Sequence, residues 1–254
     1  MSFPSEVEEA LDISKTARDV STSLDMTKRL FSALEVCRDK VGHSAAVNMA
    51  IDESLLEYAA LPAIRFYRWQ SPALSFGYFG RFADVVRYPR DLVRRWTGGG
   101  IVFHGDDLTY SIVIPANDAA FAESSMSIYE KIHRALCEAL SGIGMCTELV
   151  GSELCADRTS RSGVPTYSCF ANPMRADVMI GGRKIAGAAQ RRTRRGLLQQ
   201  GSIQGIEFGN SLTEQFAQAL STNCCERKVD EGILNRAGEL ADQKYGTEGW
   251  LRKR

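Results

Sequence analysis

The stretch from Ala176 to Ile203, ADVMIGGRKIAGAAQRRTRRGLLQQGSI, constrains the fold of this chain more than any other. The runs VMI and RKIAGAAQRR are separated by Gly181-Gly182, a two-residue composition that closes a tight hairpin because both positions tolerate positive φ. A second turn at Thr193–Gly196 leads into LLQQGSI. Strands joined by turns this short run antiparallel, since a parallel partner needs a crossover of a dozen or more residues.

The rest of the chain adds helices and further strands. Residues 28–36 (KRLFSALEV) read as a first strand, and Ser44 stands where a helix N-cap belongs. After it, Val47, Ile51, Leu55 and Tyr58 fall three and four apart, predicting an amphipathic helix over 44–60. AIRFYRW (63–69) and PALSFGYF (72–79) are strand-like around a Gln-Ser-Pro turn, and 85–100 passes from a helix or loop into three glycines. IVFH and LTYSIVI predict two strands joined at Gly105-Asp106-Asp107. The clearest helix is 124–144, with Ile128, Ile132, Leu136 and Leu140 every fourth residue and glycines at its end. A loop at 147–168 and two or three C-terminal helices complete the pattern. The predicted class is α/β in the α+β sense: a mixed, largely antiparallel central sheet flanked by helices.

Composition narrows the function classes. With 31 basic and 31 acidic residues the chain carries no formal net charge, so nothing points to nucleic acid. The 7 cysteines have no CxxC spacing, which speaks against a disulfide framework or a structural zinc, and no metal ligand set is expected. No stretch reaches the roughly 18 to 20 apolar residues needed to cross a bilayer, and the acidic start MSFPSEVEEALDISK is unlike a secretory signal. The expectation is a soluble cytoplasmic protein that engages no membrane, with residues 1–25 as an N-terminal extension to one domain over 26–254.

Four stretches carry candidate chemistry. Alternation along the second hairpin strand puts Lys184 on one face with Ala186, Ala188 and Gln190, so a lone charge is set beside truncated side chains. Gly187 leaves room for another backbone to approach. An ammonium beside a small-residue trough suits an acyl chain ending in a carbonyl; a solvated lysine next to a turn is the plainer reading. In RRWTGGGIVFH, Arg94 and Arg95 precede Gly98, Gly99 and Gly100, whose backbone can approach an anion or a carbonyl, although the spacing is not that of a phosphate loop. His104 ends the following strand and either orients a substrate or caps the strand. Cys169 lies in YSCF upstream of Lys184; a nearby ammonium would favour its thiolate, whereas most free cysteines are simply buried. Arg191, Arg192, Arg194 and Arg195 form either a solvated loop or a docking patch for an acidic carrier.

Taken in order, NMAIDESLL, RFYRW with PALSFGYF, RRWTGGGIVFHGDDLTYSIVIP, and GGRKIAGAAQRR with LLQQGSI resemble the biotin/lipoate protein ligase catalytic domain, in its lipoate-ligase and octanoyltransferase branch. The resemblance implies a fold related to biotin ligases and class II aminoacyl-tRNA synthetases. It implies that Lys184 is the essential lysine at the acyl carbonyl. It implies that Arg94, Arg95, Gly98, Gly99, Gly100, His104, Gly77, Tyr78, Gly187 and Ala189 line the substrate. Cys169 looks like the cysteine of the ATP-independent octanoyltransferases, which take an octanoyl or lipoyl group from acyl carrier protein. They pass it to a lysine of a 2-oxoacid dehydrogenase lipoyl domain or of glycine cleavage H protein, without a cofactor. The alternatives within the resemblance are a lipoate ligase using ATP and Mg²⁺ and a non-catalytic member that binds a lipoyl group or a carrier. A ligase usually carries an accessory domain, which is not expected after KYGTEGWLRKR. Gly80 and Gln200 depart from the family pattern, where Gln and His are common.

Overall fold

The computed structural model describes residues 29–151, 173–207 and 211–253. Its centre is an eight-stranded sheet in the order β11-β1-β2-β6-β10-β9-β8-β7. These strands are β1 (Leu34–Arg38), β2 (Ala63–Tyr67), β6 (Leu108–Pro115), β7 (Glu148–Leu149), β8 (Val178–Ile180), β9 (Arg183–Arg192), β10 (Gly196–Ile203) and β11 (Cys224–Glu226). Only the β11-β1 and β1-β2 pairs are parallel, so the sheet is mixed and largely antiparallel, as the hairpins require. A second sheet of three strands is ordered β4-β3-β5, from β3 (Ala73–Phe76), β4 (Asp91–Arg94) and β5 (Ile101–His104).

Helices cover both faces of the large sheet. On one side lie α2 (Ser125–Gly142) and α3 (Leu212–Leu220), packing Ile128, Ile132, Leu136, Leu140 and Phe216 against Tyr110, Ile112 and Ile114. On the other lie α1 (Ala45–Tyr58) and α4 (Glu231–Leu240), which meet Tyr67, Val113 and Leu198. Strand β6 shows the division: Leu108, Tyr110, Ile112 and Ile114 enter the first core, while Thr109 and Ser111 present hydroxyls to the opposite face. That polar side of an otherwise apolar strand is where the site is built.

Several expectations change. Strand β1 begins at Leu34, later than the 28–36 reading, and the strand β4 replaces a predicted helix or loop. Short strands at 148–149 and 224–226 carry no periodicity of their own; each pairs because a neighbour, β8 or β1, offers an edge. Ser44 caps α1 as expected, its hydroxyl accepting from Val47 N. The stripe differs, however: Tyr58 is exposed, and Asn48, Asp52 and Ser54 are buried beside Ile51 and Leu55. Asn48 and Asp52 accept from Arg65 of β2, and Asp52 from Ser111 of β6, so this helix is embedded rather than amphipathic. The 101–115 pair of strands also divides, β5 joining the small sheet and β6 the large one.

Candidate active site

A partly open pocket lies between the two sheets. Its lining comes from the large sheet (Thr109, Lys184, Gly187, Ala188, Ala189, Gln200, Ser202), from the small sheet and its following turn (Ser75, Arg95, Val102, His104), and from Met49, Tyr67 and Trp69. The mixture of apolar walls with a few directed polar groups is typical of a small-molecule site.

Lys184 reaches the pocket by a route that strand alternation does not predict. Val178 pairs with Ala186 but Met179 with Lys184, so β9 holds one extra residue, Ile185, between those pairs. Such a bulge re-aims side chains. Ala186 and Ala188 turn into the α2-side core, and Gly187 and Ala189 stand opposite the pocket residues Ser202 and Gln200. The Lys184 stem lies across Gly187: a Cβ there would come within 2.5 Å of Lys184 Cε. The absent side chain therefore makes room for the lysine itself. Its ammonium pairs with Asp177 at 2.7 Å, and both side chains are almost fully buried. A buried charge demands such a partner.

Across the pocket a second polar chain runs from Arg95 to Asp107. Arg95 Nη1 donates to Ser75 Oγ (2.6 Å), which stands 2.7 Å from His104 Nε2, and His104 Nδ1 stands 2.8 Å from Asp107 Oδ2. The consistent proton arrangement has Nδ1–H donating to Asp107 and Nε2 accepting from Ser75. Burial lowers the His104 pKa against the opposing pull of Asp107, so the ring is neutral at neutral pH. Burial alone would raise Asp107, but the bonds from His104, Ser202 and Gly105 N outweigh it and hold the carboxyl below its ordinary range. Trp69 stacks on the His104 ring at 4.0 Å and donates through Nε1 to Thr109. The imidazole is thus fixed at both nitrogens and on one face.

Behind the pocket, Asp52 of α1 accepts from Arg65, Ser111, Tyr67 and Gln200. Thr97 donates to the other end of the Gln200 amide at 2.8 Å. Gln200 therefore ties the glycine turn to the helix, and the buried Asp52–Arg65 pair holds α1 against the sheet.

The candidate residues separate accordingly. Arg95, His104, Lys184, Gly187 and Ala189 come together in one pocket. Arg94 lies elsewhere: its guanidinium donates to the carbonyls of Tyr78, Gly80, Trp250 and Leu251, tying the C-terminal segment to the turn after β3. The carbonyls of Gly98 and Gly100 accept from Arg95. Gly77 lets the glycine turn close, since a Cβ on it would fall 2.0 Å from Gly99 O. The Tyr78 ring sits near Arg191 and Trp250. Of the arginine cluster, Arg192 is spent on Phe121 and on the carbonyl of Glu123, and Arg195 pairs with Glu57. Cys169 lies outside the described residues. Among the described cysteines, burial pushes the Cys37 thiol up to about 11 and raises Cys137 and Cys224 as well, the opposite of activation.

Asp177, Asp107 and Ser75 escaped the sequence reading. Asp177 and Asp107 resemble ordinary turn residues, and only the lone hydroxyl of Ser75 inside the apolar run ALSF offered a signal.

Comparison with known proteins agrees with this architecture. A family model described as lipoyl protein ligase A/B catalytic domain matches residues 44–244. Octanoyltransferase LipM of Oceanobacillus iheyensis is 38% identical over 169 residues, covering 63% of this chain and 59% of that protein. LipM of Staphylococcus aureus is 34% identical over 206 residues, covering 77% and 74%. Among solved structures, a putative lipoate protein ligase of T. acidophilum with bound lipoic acid superposes with a TM-score of 0.65 at 22% identity, covering 87% of this chain and 99% of that one. Lipoate-protein ligase A bound with ATP gives the same TM-score at 21% identity, covering 87% and 98%. Both show a shared fold.

Proposed function

This chain belongs to the lipoyl protein ligase A/B catalytic domain family, and from that membership we propose that it is an octanoyltransferase of protein lipoylation. One observation carries the reading: a buried ammonium, Lys184, in the wall of a pocket whose adjoining strand is Gly187-Ala188-Ala189. The truncated side chains, with Met49 and Val102, accept an acyl chain, and the charge meets its carbonyl end. The similarity to proteins named octanoyltransferase LipM supports the same chemistry.

In the proposed reaction the Cys169 thiolate attacks the carbonyl carbon of an octanoyl thioester on acyl carrier protein. A tetrahedral oxyanion forms opposite the Lys184 ammonium, the bond to the carrier sulfur breaks, and the carrier thiolate leaves. The neutral amine of a lysine on a lipoyl domain then attacks the new thioester. The Cys169 sulfur departs as the amide forms, and the amine proton passes to it. A pocket-wall ammonium stabilises the developing oxygen charge in both halves. Arg95 and His104, held by Ser75 and Asp107, shape the opposite wall. No cofactor enters this scheme, and the reaction suits a cytoplasmic enzyme; no helix among the described residues is long and apolar enough to cross a membrane.

The test runs two reactions on a purified lipoyl domain: octanoyl carrier protein without ATP, and free octanoate or lipoate with ATP and Mg²⁺. Modification in the first, abolished by Cys169→Ser, is the expected result. Modification confined to the second would make the protein a ligase, and a fully active Cys169→Ser variant would refute the covalent route.

A further inference from the structure

Helix α2 carries two polar side chains with no place in the scheme above, the half-buried Tyr129 and the buried His133. They are one turn apart, stack edge to face at 4.3 Å, and point at the same short segment, Ala176-Asp177. The Tyr129 hydroxyl donates to Asp177 Oδ1 at 2.6 Å and accepts from Ala188 N at 3.0 Å. His133 Nδ1 donates to the Ala176 carbonyl at 2.6 Å, while Nε2 stands 2.9 Å from the Tyr110 hydroxyl. Ala176 has φ 64, a left-handed conformation that a non-glycine residue holds only when its surroundings impose it. Met174 N completes the arrangement by donating to Asp177 Oδ2 at 2.6 Å.

Each bond constrains one thing. The imidazole and the bend at Ala176 set where Asp177 leaves the backbone, and Tyr129 sets how its carboxylate is turned. Because Tyr129 also holds the Ala188 N–H, it fixes Asp177 relative to the strand bearing Lys184 and Gly187. Burial with Asp177 alongside raises the Tyr129 hydroxyl, so it stays a donor; burial pushes His133 down to about 4, so it stays neutral at neutral pH. We propose that Tyr129, His133 and Asp177 form a positioning device on α2 and the turn before β8 that aims the Lys184 ammonium at the reacting carbonyl. The inference rests on the acyl-transfer reading for what Lys184 does, but the geometry of the device stands apart from it.

The test uses the full chain carrying Tyr129→Phe, which keeps the ring and removes the hydroxyl, together with Asp177→Asn. Two readouts are taken. In octanoyl transfer, Tyr129→Phe is expected to lower kcat by roughly 10-fold or more, the value of a hydrogen bond to a charged group, while the KM for octanoyl carrier protein stays within about 2-fold. In the second, wild type and variants react at neutral pH with an amine-acylating reagent, and modification of Lys184 is followed by peptide mass mapping against exposed lysines. Loss of its counter-charge should speed Lys184 labelling several-fold in Asp177→Asn, and less in Tyr129→Phe. Unchanged kcat and unchanged labelling in Tyr129→Phe would overturn the proposal, as would a KM rise accounting for the whole loss. The labelling readout needs no substrate. It decides the positioning device even where wild type transfers no octanoyl group, a result that would instead refute the functional reading.

Discussion

Gly187 and Lys184 occupy the same space: a Cβ on the glycine would lie 2.5 Å from the lysine Cε and 2.6 Å from Nζ. The obstructing atoms are the far end of a flexible side chain, so Gly187→Ala is tolerated by the fold but displaces the ammonium from Asp177. The expected outcome is a thermal midpoint close to wild type with octanoyl transfer reduced roughly 10-fold or more. Steady-state kinetics beside a thermal melt measures both, and full activity in this variant would contradict the assigned lysine position.

Arg94 and Arg95 are neighbours in sequence with different tasks. Arg95 lines the pocket, whereas Arg94 binds four backbone carbonyls at the C-terminal segment. Arg95→Ala should depress kcat/KM with a modest loss of stability. Arg94→Ala should leave four half-buried carbonyls unpaired and cost about 2 kcal/mol or more, with activity per folded molecule retained. Urea unfolding and transfer rates on the two variants separate these outcomes; equal catalytic losses would refute the division.

At Gly77 the obstruction is backbone. A Cβ would meet Gly99 O at 2.0 Å and Gly98 O at 2.6 Å, and a carbonyl cannot rotate away as a lysine can. Gly77→Ala is expected to destabilise the protein by about 1–3 kcal/mol, the usual range for overpacking, and to open the turn that Arg95 closes. Denaturant midpoints report it, and a neutral substitution would show that the turn relaxes freely.

His133 makes stability depend on pH. Its pKa falls from 6.5 to about 4 on burial, so the unfolded chain takes up this proton first. The contribution is complete above pH 6.5 and drains away as pH falls towards 4, in total about 3 kcal/mol. Burial lowers His104 in the same direction. Unfolding free energies at pH 7 and pH 4.5 should therefore differ in wild type, and His133→Gln should flatten that slope. A slope left unchanged by the substitution would assign the effect to other groups.

Much of this molecule was legible from local pattern. The Gly181-Gly182 hairpin, the four-residue spacing along α2 and the Ser44 cap are short-range consequences of glycine conformational freedom, helical period and a hydroxyl acceptor, and each stands where the sequence puts it. Lys184 as a candidate followed from the same stretch, because a charge among alanines and glycines is unusual at any register. What surrounds it was not legible. The bulge at Ile185, which turns Lys184 onto Gly187, arises from how β8 and β9 pair. Asp177 becomes the lysine's partner only because α2 packs where Tyr129 and His133 can hold it. Similarly, Ser75 and Arg95 reach His104 only when β3, β4 and β5 pair into the small sheet. Turn chemistry and periodicity act over a few residues and can be read along the chain, whereas the pairing of buried charges is settled by desolvation between segments far apart in it, and so by the tertiary structure alone.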